Sequence, residues 1–246
     1  MSVSVLRAMP QFAAGDDVAG AIAAAAQADG LALGSGDVVV IAQKIVSKAE
    51  GRTVDLADVT ADPPALELAA LTGRDPALAR LIVDEAQSVM RATQQAIITR
   101  HRTGHVTANS GIDASNVEGG KVLLWPRDPD ASARAIRAAL PGRPAVIIAD
   151  SLGRAWRQGT LGTAIGCAGI IATDDRRGQQ DLFGRTLQAT VVAIADAIAA
   201  FAVLAMGEGA EGTPVAIVRG AERWRTAEDG PGAAAIMRPV EGDLFP

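Results

Sequence analysis

The 246-residue chain is 49% hydrophobic, carries a net charge of −5 and contains 3% aromatic residues with no tyrosine. That length can bury a substantial core without covalent staples, as one large domain or two intimately joined ones. The acidic balance and the scarcity of aromatics exclude a basic, base-stacking nucleic-acid surface, and the single Cys167 excludes an internal disulfide and suits a reducing cytoplasm.

The opening MSVSVLRAMP is strand-like and lacks the apolar core and flanks of a signal peptide. Gly15-Asp16-Asp17 before an alanine-rich run predicts an N-capped helix closed by Gly30. The GSG turn at 34–36 leads through Asp37 into a wholly apolar strand at 38–42, whose exit delivers Gln43, Lys44 and Lys48. Residues 52–60 read as a polar loop. Asp62-Pro63-Pro64 precedes a short helical patch at 65–71, and Asp75-Pro76 caps a helix whose positions Leu78, Leu81, Ile82, Glu85 and Val89 fall at helical spacing. Residues 96–102 alternate as a strand does. After Val106 comes a turn-rich polar loop, TANSGIDASNVEGG, holding Asn109, Ser110, Asp113, Ser115, Asn116 and Glu118.

Residues 121–125 read as a strand, 126–129 as a turn and 130–140 as an amphipathic helix ended by Pro141-Gly142. The apolar run 145–149 predicts a buried strand that ends at DSLGRAWRQGTLGTAIG, residues 150–166. Asp150 and Ser151 offer hard oxygen ligands for Mg²⁺ or Mn²⁺, Arg154 and Arg157 offer planar donors for phosphate or carboxylate, and the glycines permit close backbone approach. We read this stretch as an anion-plus-metal site. Residues 167–173 look like another buried strand, 174–184 a charged loop and 187–206 a long buried helix. Within it the most apolar run, 191–206, carries Asp196 and is too short to span a bilayer, so no membrane partner is expected. A glycine-rich loop at 207–212, a strand at 214–218 and a charged, loop-rich tail to Pro246 complete the chain. With no fixed-period repeat and no linker, a second domain would have to be an insertion.

Several signals admit plainer readings. Residues 207–212 match G-x-G-x-x-G, but between a helix and a strand, the reverse of the dinucleotide-binding order. The loop is either a phosphate wrap with Glu208 and Glu211 as candidate metal ligands or an ordinary connection. No Walker-type cradle occurs. Lys44 and Lys48 could face phosphate or simply solvent. His101 and His105 have no further His or Cys at zinc spacing, Asp113 and Asn116 could be turn formers, and Cys167 reads as a core thiol. Arg154 and Arg157, flanking Trp156, could equally pack at a boundary. The convergence of polar groups at several strand exits favours a metal-bound polyphosphate.

GDVVVIAQKIVSKAEGR, ANSGIDASNV, DSLGRAWRQGTLGTAIGCAGI, Asp181 with Gly184, and MGEGAEGTPVAIVRG, in that order, resemble the CofE family, the glutamate ligases that extend the deazaflavin coenzyme F420. The likeness covers almost the whole chain. It implies an α+β, CofE-like fold of two intimately connected subdomains within a single domain at 1–246, assembled as an intertwined homodimer. It further implies a cytoplasmic, GTP-dependent ligase with two divalent metals, Mg²⁺ or Mn²⁺, and K⁺ as an additional cation. The substrates implied are L-glutamate and the carboxylate of F420-0, with further glutamates added through γ-linkages. By motif, Asp113 and Asp150 resemble ligands of the first metal, and Ser151 and Glu208 those of the second. Met9, Pro10, Gln11, Phe12, Gln43, Lys48, Asn116 and the loop Met206, Gly207, Glu208, Gly209, Ala210, Glu211, Gly212 and Thr213 match nucleotide-contacting positions. Lys48 is expected to supply charge in catalysis, and Arg154 and Arg157 to grip substrate carboxylates. Gln43 stands where members often have a small hydroxyl residue, Ser110 where alanine is common and His105 where an apolar residue is usual. Ending at EGDLFP, the chain resembles the form not fused to a nitroreductase-like domain. Two rivals stay open: a nucleotide- or phosphate-binding module without catalysis, and a redox protein holding the deazaflavin.

Overall fold

The structure is a computed structural model and describes residues 1–243; the end of the loop-rich tail, 244–246, lies outside the described residues. The first elements are β1 (Ser2–Val5), α1 (Val18–Ala28), β2 (Val38–Ala42) and α2 (Gln43–Ala49). Next come β3 (Thr53–Asp55), α3 (Pro63–Thr72), α4 (Pro76–Glu85), β4 (Ala86–Ala92), β5 (Ile97–His101), β6 (Val106–Ala108) and β7 (Lys121–Leu123). The chain continues through α5 (Pro129–Ala139), β8 (Ala145–Arg154), β9 (Arg157–Ala168), β10 (Thr173–Asp175), β11 (Val191–Ala193), α6 (Ile194–Met206) and β12 (Val215–Arg219). The fold is thus mixed α+β. Asp17, Asp62, Asp75 and Asp128 each accept an N–H of the following helix's first turn, worth about 1 kcal/mol apiece, so part of the acidic excess is capping.

Five strands form the central sheet in the order β1-β12-β2-β8-β9, with β2 and β8 parallel and the other neighbours antiparallel. Alternation along β2 sends Val39 and Ile41 to one core, shared with Ile22 of α1 and Ile136 of α5. It sends Val38 and Val40 to a second core, shared with Ile198 and Ala202 of α6. Both faces are covered by helices, which is why β2 and the first half of β8 read as unbroken apolar runs.

Local pattern and structure part company in several places. Residues 150–166 are no loop: β8 runs on to Arg154 and returns as β9, with Asp150 opposite Thr163, Ser151 opposite Gly162, and Arg154 opposite Arg157 across the turn. Gly162 and Gly166 serve packing. A Cβ on Gly162 would lie 2.7 Å from the Ala199 carbonyl oxygen of α6, so this strand needs glycine where a helix crosses it. The final long helix begins at Ile194 and not at 187, because Val191–Ala193 pair with β10 inside the supposed charged loop. The predicted strand at 167–173 is instead the end of β9, a break at Gly169 with φ +73°, and the first residue of β10. Helix α4 stops at Glu85, and Val89 lies in β4, paired with β5. Residues 53–55 are a strand paired with β7, not part of a polar loop.

The segment between β2 and β8 carries cores of its own. One joins Ala65, Leu68, Ala79, Ile82 and Ile97; the other joins Leu81, Val122 and Leu124. A buried polar cluster fastens it to the sheet. Glu85 meets Arg52 at 2.7 Å, Arg102 at 3.1 Å and His101 Nε2 at 3.4 Å. Arg52 Nε also donates to the Trp125 carbonyl oxygen at 2.8 Å. Trp125 is fully buried, with its ring centroid 4.8 Å from His101 and 5.4 Å from His105. Thr103 Oγ1 sits between the Nδ1 atoms of the two histidines, at 2.8 and 2.9 Å.

This cluster couples stability to pH. Burial opposes ionisation of Glu85, but the His101 and Arg52 hydrogen bonds outweigh it and bring its pKa from 4.5 to about 2. Burial depresses His105 from 6.5 to about 4. In both cases the unfolded chain binds the proton first, so stability is lost on acidification. The His105 contribution disappears as pH falls from 6.5 to about 4, and that of Glu85 from 4.5 to about 2. Urea midpoints should therefore begin to drop below pH 6.5, and His105→Leu should flatten the upper part of that decline while leaving the lower part. An unchanged pH profile in the variant would overturn the assignment.

Candidate functional site

Because β2 and β8 are parallel neighbours, their carboxyl ends open side by side, where ligand crevices of open α/β sheets form. A cavity of about 390 Å³ lies there. Its walls are Met9, Pro10, Gln11 and Phe12 after β1, Gln43, Lys44 and Lys48 on α2, Asn116, Asp150 and Ser151 on β8, and the loop from Met206 to Thr213. The structure thus gathers in one cleft every residue expected to contact nucleotide, together with Asp150 and Ser151.

Asp150 is fixed from behind. The Trp125 indole N–H donates to its Oδ2 at 2.8 Å, and the Ser151 amide donates to Oδ1 at 2.8 Å. Burial raises its pKa, and the nearby Asp113 charge acts in the same direction, against Lys44, Trp125 and the Ser151 amide. Asp113 stands beyond the cleft wall, where a bridge to Leu123 holds its backbone. Its carboxylate meets Lys44 Nζ at 2.5 Å and the Ser115 amide at 2.6 Å. Burial pushes the Asp113 pKa up, but these two donors win and its pKa is lowered. Lys44, for which both phosphate and plain solvent are expected as neighbours, is therefore the ammonium that pairs with Asp113 and acts on Asp150.

Ser151 Oγ donates to Glu208 Oε1 at 2.6 Å, tying the glycine-rich loop to β8. Within the loop Glu211 accepts the Gly209 amide at 2.8 Å, and Thr213 Oγ1 donates to the Met206 carbonyl at 2.7 Å. Gly207, with φ +81°, closes α6 where a side chain would run into Glu211. Lys48 Nζ donates to the Asn116 carbonyl at 2.9 Å. Gln43 is 1% exposed; Ser47 Oγ occupies its Oε1 at 2.7 Å, and its Nε2 has no partner.

Arg154 and Arg157 are not brought to this cleft. They flank the exposed tip of the β8–β9 arm, with Trp156 at φ +63° between them. His101 and His105 belong to the buried cluster behind Asp150, and Cys167 is a buried thiol whose pKa burial pushes up to about 12. Trp125 was read only as the end of a strand. Nothing in its sequence neighbourhood signals that its ring nitrogen serves a carboxylate 25 residues further on.

Among the described residues no group of three or more His, Cys, Asp or Glu could hold a metal ion by itself. The oxygen donors come instead from separate elements: Asp150 and Ser151 on β8, Glu208 bonded to Ser151, and Asp113, whose charge acts on Asp150. Such a set fits a cation of the Mg²⁺ type, which is commonly held by one or two carboxylates and completes its shell with phosphate oxygens and water. The Lys44 ammonium already lies against Asp113, so these carboxylates sit in a place that takes a positive charge. Among the described residues no helix is long and apolar enough to cross a membrane.

A model of the family described as "F420-0:Gamma-glutamyl ligase" matches residues 7–220. The chain is 43% identical to the coenzyme F420:L-glutamate ligase of Methanothermobacter thermautotrophicus, over 100% of this chain and 99% of that protein. It is 43% identical to the protein of that name from Methanopyrus kandleri, over 94% and 92% of the two chains. With that of Methanocaldococcus jannaschii it shares 44% identity over 85% and 84%.

The Ser151–Glu208 bond predicts the dynamics of the loop. Ser151→Ala should speed hydrogen exchange at residues 207–212 by about tenfold, the value of one hydrogen bond of roughly 1.4 kcal/mol, with global stability unchanged. Equal exchange in both proteins would show that the bond does not order the loop.

Proposed function

Because the chain belongs to the F420-0:gamma-glutamyl ligase family, we propose that it forms an amide between L-glutamate and the carboxylate of F420-0, at the expense of GTP and with the help of divalent metal. The observation that carries this reading is the meeting of Lys44, Lys48, Asp150 and Ser151 with the Gly207–Gly212 loop at the ends of two parallel strands, with Asp113 paired to Lys44 behind the wall. Carboxylates to hold cations, ammonium groups to meet phosphate and a glycine-rich backbone to wrap it converge on a cavity of about 390 Å³.

In the proposed reaction the F420-0 carboxylate oxygen attacks the γ-phosphorus of GTP, GDP leaves, and an acyl phosphate results. The amine of glutamate, having lost a proton, then attacks the acyl carbon and expels phosphate. Asp113 and Asp150 would hold one divalent ion, Mg²⁺ or Mn²⁺, and Ser151 and Glu208 a second; bound metal supplies charge neutralisation on the polyphosphate. Lys44 and Lys48 would add fixed positive charge beside the transferring group, Lys48 giving up its Asn116 carbonyl for a phosphate oxygen. Gln43 Nε2, buried without an acceptor, is a ready donor to the nucleotide. Arg154 and Arg157 would clamp substrate carboxylates only from another copy of the chain, because the arm that carries them leaves its own cleft; this is how a homodimer enters the proposal. Of the rival readings, a deazaflavin redox protein has no use for these carboxylates, and a silent binding module predicts intact GTP and no product in the test below.

Incubation with GTP, Mn²⁺, glutamate and F420-0 should yield glutamylated product by mass spectrometry, and the number of units added reads out chain length. No mass increase with intact GTP would refute the ligase reading. Asp150→Asn should abolish metal-dependent GTP turnover in a folded protein. Trp125→Phe keeps the ring and removes the N–H, and should weaken Mn²⁺ binding about tenfold or more, as loss of groups that orient ligands generally does. Mn²⁺ affinity unchanged in the tryptophan variant but lost in Asp150→Asn would discard the role of Trp125 alone.

A further inference from the structure

A second recess lies at the opposite ends of the same two strands. Its volume is about 440 Å³, and it is lined by Ser35 before β2, Gly142 and Arg143 before β8, Arg137 of α5, and Arg225, Thr226 and Ala227 of the tail. Three arginines are in its lining. Asp229 is the carboxylate in direct contact, 2.7 Å from Arg137 and 3.8 Å from Arg143. Asp37 and Glu222 also act on Arg225, but Asp37 is committed to Arg219 at 3.0 Å and to the Gly34 amide at 2.9 Å. A protein with a net charge of −5 has thus gathered three guanidinium groups into the lining of one recess, where Asp229 is the carboxylate bonded to them.

The arginines differ in what they have left to give. Arg137 is 2% exposed, and its terminal nitrogens are spent on Asp229 and on the carbonyls of Thr226 and Ala227. It supplies fixed charge. Arg225 donates one terminal nitrogen to the Arg143 carbonyl at 3.0 Å, while its Nε is enclosed and meets no acceptor. Burial and then the Arg137 charge press the Arg225 pKa down, so the two cations are held together against their repulsion. Arg143 adopts φ +44°, unusual for a residue with a side chain, which aims its carbonyl at Arg225 while its own guanidinium remains largely exposed at the rim.

We propose that this recess binds an oxyanion, with Arg225 and Arg143 donating hydrogen bonds and Arg137 supplying charge. Guanidinium groups match the planar oxygen pairs of phosphate and carboxylate alike, so both belong to the ligand class. An anion here joins the tail to α5 and to the turn that feeds β8, a strand's length from the catalytic cleft. The site is independent of the ligase reading.

The test uses the full chain without nucleotide or metal, titrated calorimetrically with orthophosphate and, separately, with glutarate, against chloride at equal ionic strength. Saturable binding of at least one of them is expected, and whichever saturates names the source, phosphate or carboxylate. Arg225→Gln and Arg143→Gln should each weaken it about tenfold or more, the loss of one charge-assisted hydrogen bond, while Lys48→Gln in the cleft leaves it intact. Arg143 is exposed enough that its variant folds whatever becomes of Arg225→Gln. Binding lost in Lys48→Gln but kept in both arginine variants would assign the anion to the cleft and overturn the proposal. Binding no stronger than chloride would mean an adventitious ion only, and would overturn it equally.

Discussion

The hydrogen bond from the Trp125 indole to Asp150 joins the two halves of this molecule. Trp125 belongs to the segment inserted between β2 and β8, Asp150 to the central sheet, and the bond is made where the buried Glu85 cluster and the cleft stand back to back. A fully buried tryptophan contributes several kcal/mol by removing its ring from water, and its one polar atom must find an acceptor. That acceptor is the carboxylate facing the cleft. Packing of the insertion and orientation of the site are therefore one constraint. Gly111 reflects the same closeness: its φ is +69°, and any side chain there would strike the Trp125 ring.

The central sheet imposes the second constraint. Two adjacent strands buried on both faces leave no room for polar side chains until they emerge at their carboxyl ends, and there Gln43, Lys44, Asp150 and Ser151 appear together. The remaining walls arrive from distant parts of the chain, the segment after β1 and the loop after α6, because β1, β12 and α6 pack around the same sheet. The polar groups then settle pairwise, the Lys44 ammonium on the Asp113 carboxylate and the Ser151 hydroxyl on Glu208, and these contacts hold the cleft in place.

The sequence was most legible where a local rule has a local cause. Aspartates before helices marked the starts of α1 and α4, each confirmed by a carboxylate bonded to first-turn amides, whereas Asp62, read as part of a break, proves to cap α3 as well. Unbroken apolar runs marked β2 and the first half of β8. It was least legible where distant packing chooses the residue. Gly162 suggests a loop until α6 is seen crossing it, and Val191–Ala193 continue a helical pattern until β10 claims them. The grouping of Asp113, Asp150, Ser151 and Glu208 came from motif resemblance; the chain's periodicity offered no distance between them.

By itself the sequence determined the membership in a glutamate ligase family, the mixed α+β class, the buried strand pair and the acidic, cationic and glycine-rich groups available for chemistry. Those properties depend on residue type and short-range spacing, which a linear string preserves. Tertiary structure alone decided that Arg154 and Arg157 stand on an arm away from the cleft, that Lys44 pairs with Asp113, that Trp125 holds Asp150, and that Arg137, Arg143 and Arg225 crowd a second recess. Each of these is a meeting of residues far apart in the chain, fixed by strand register and helix packing, and no local pattern encodes it.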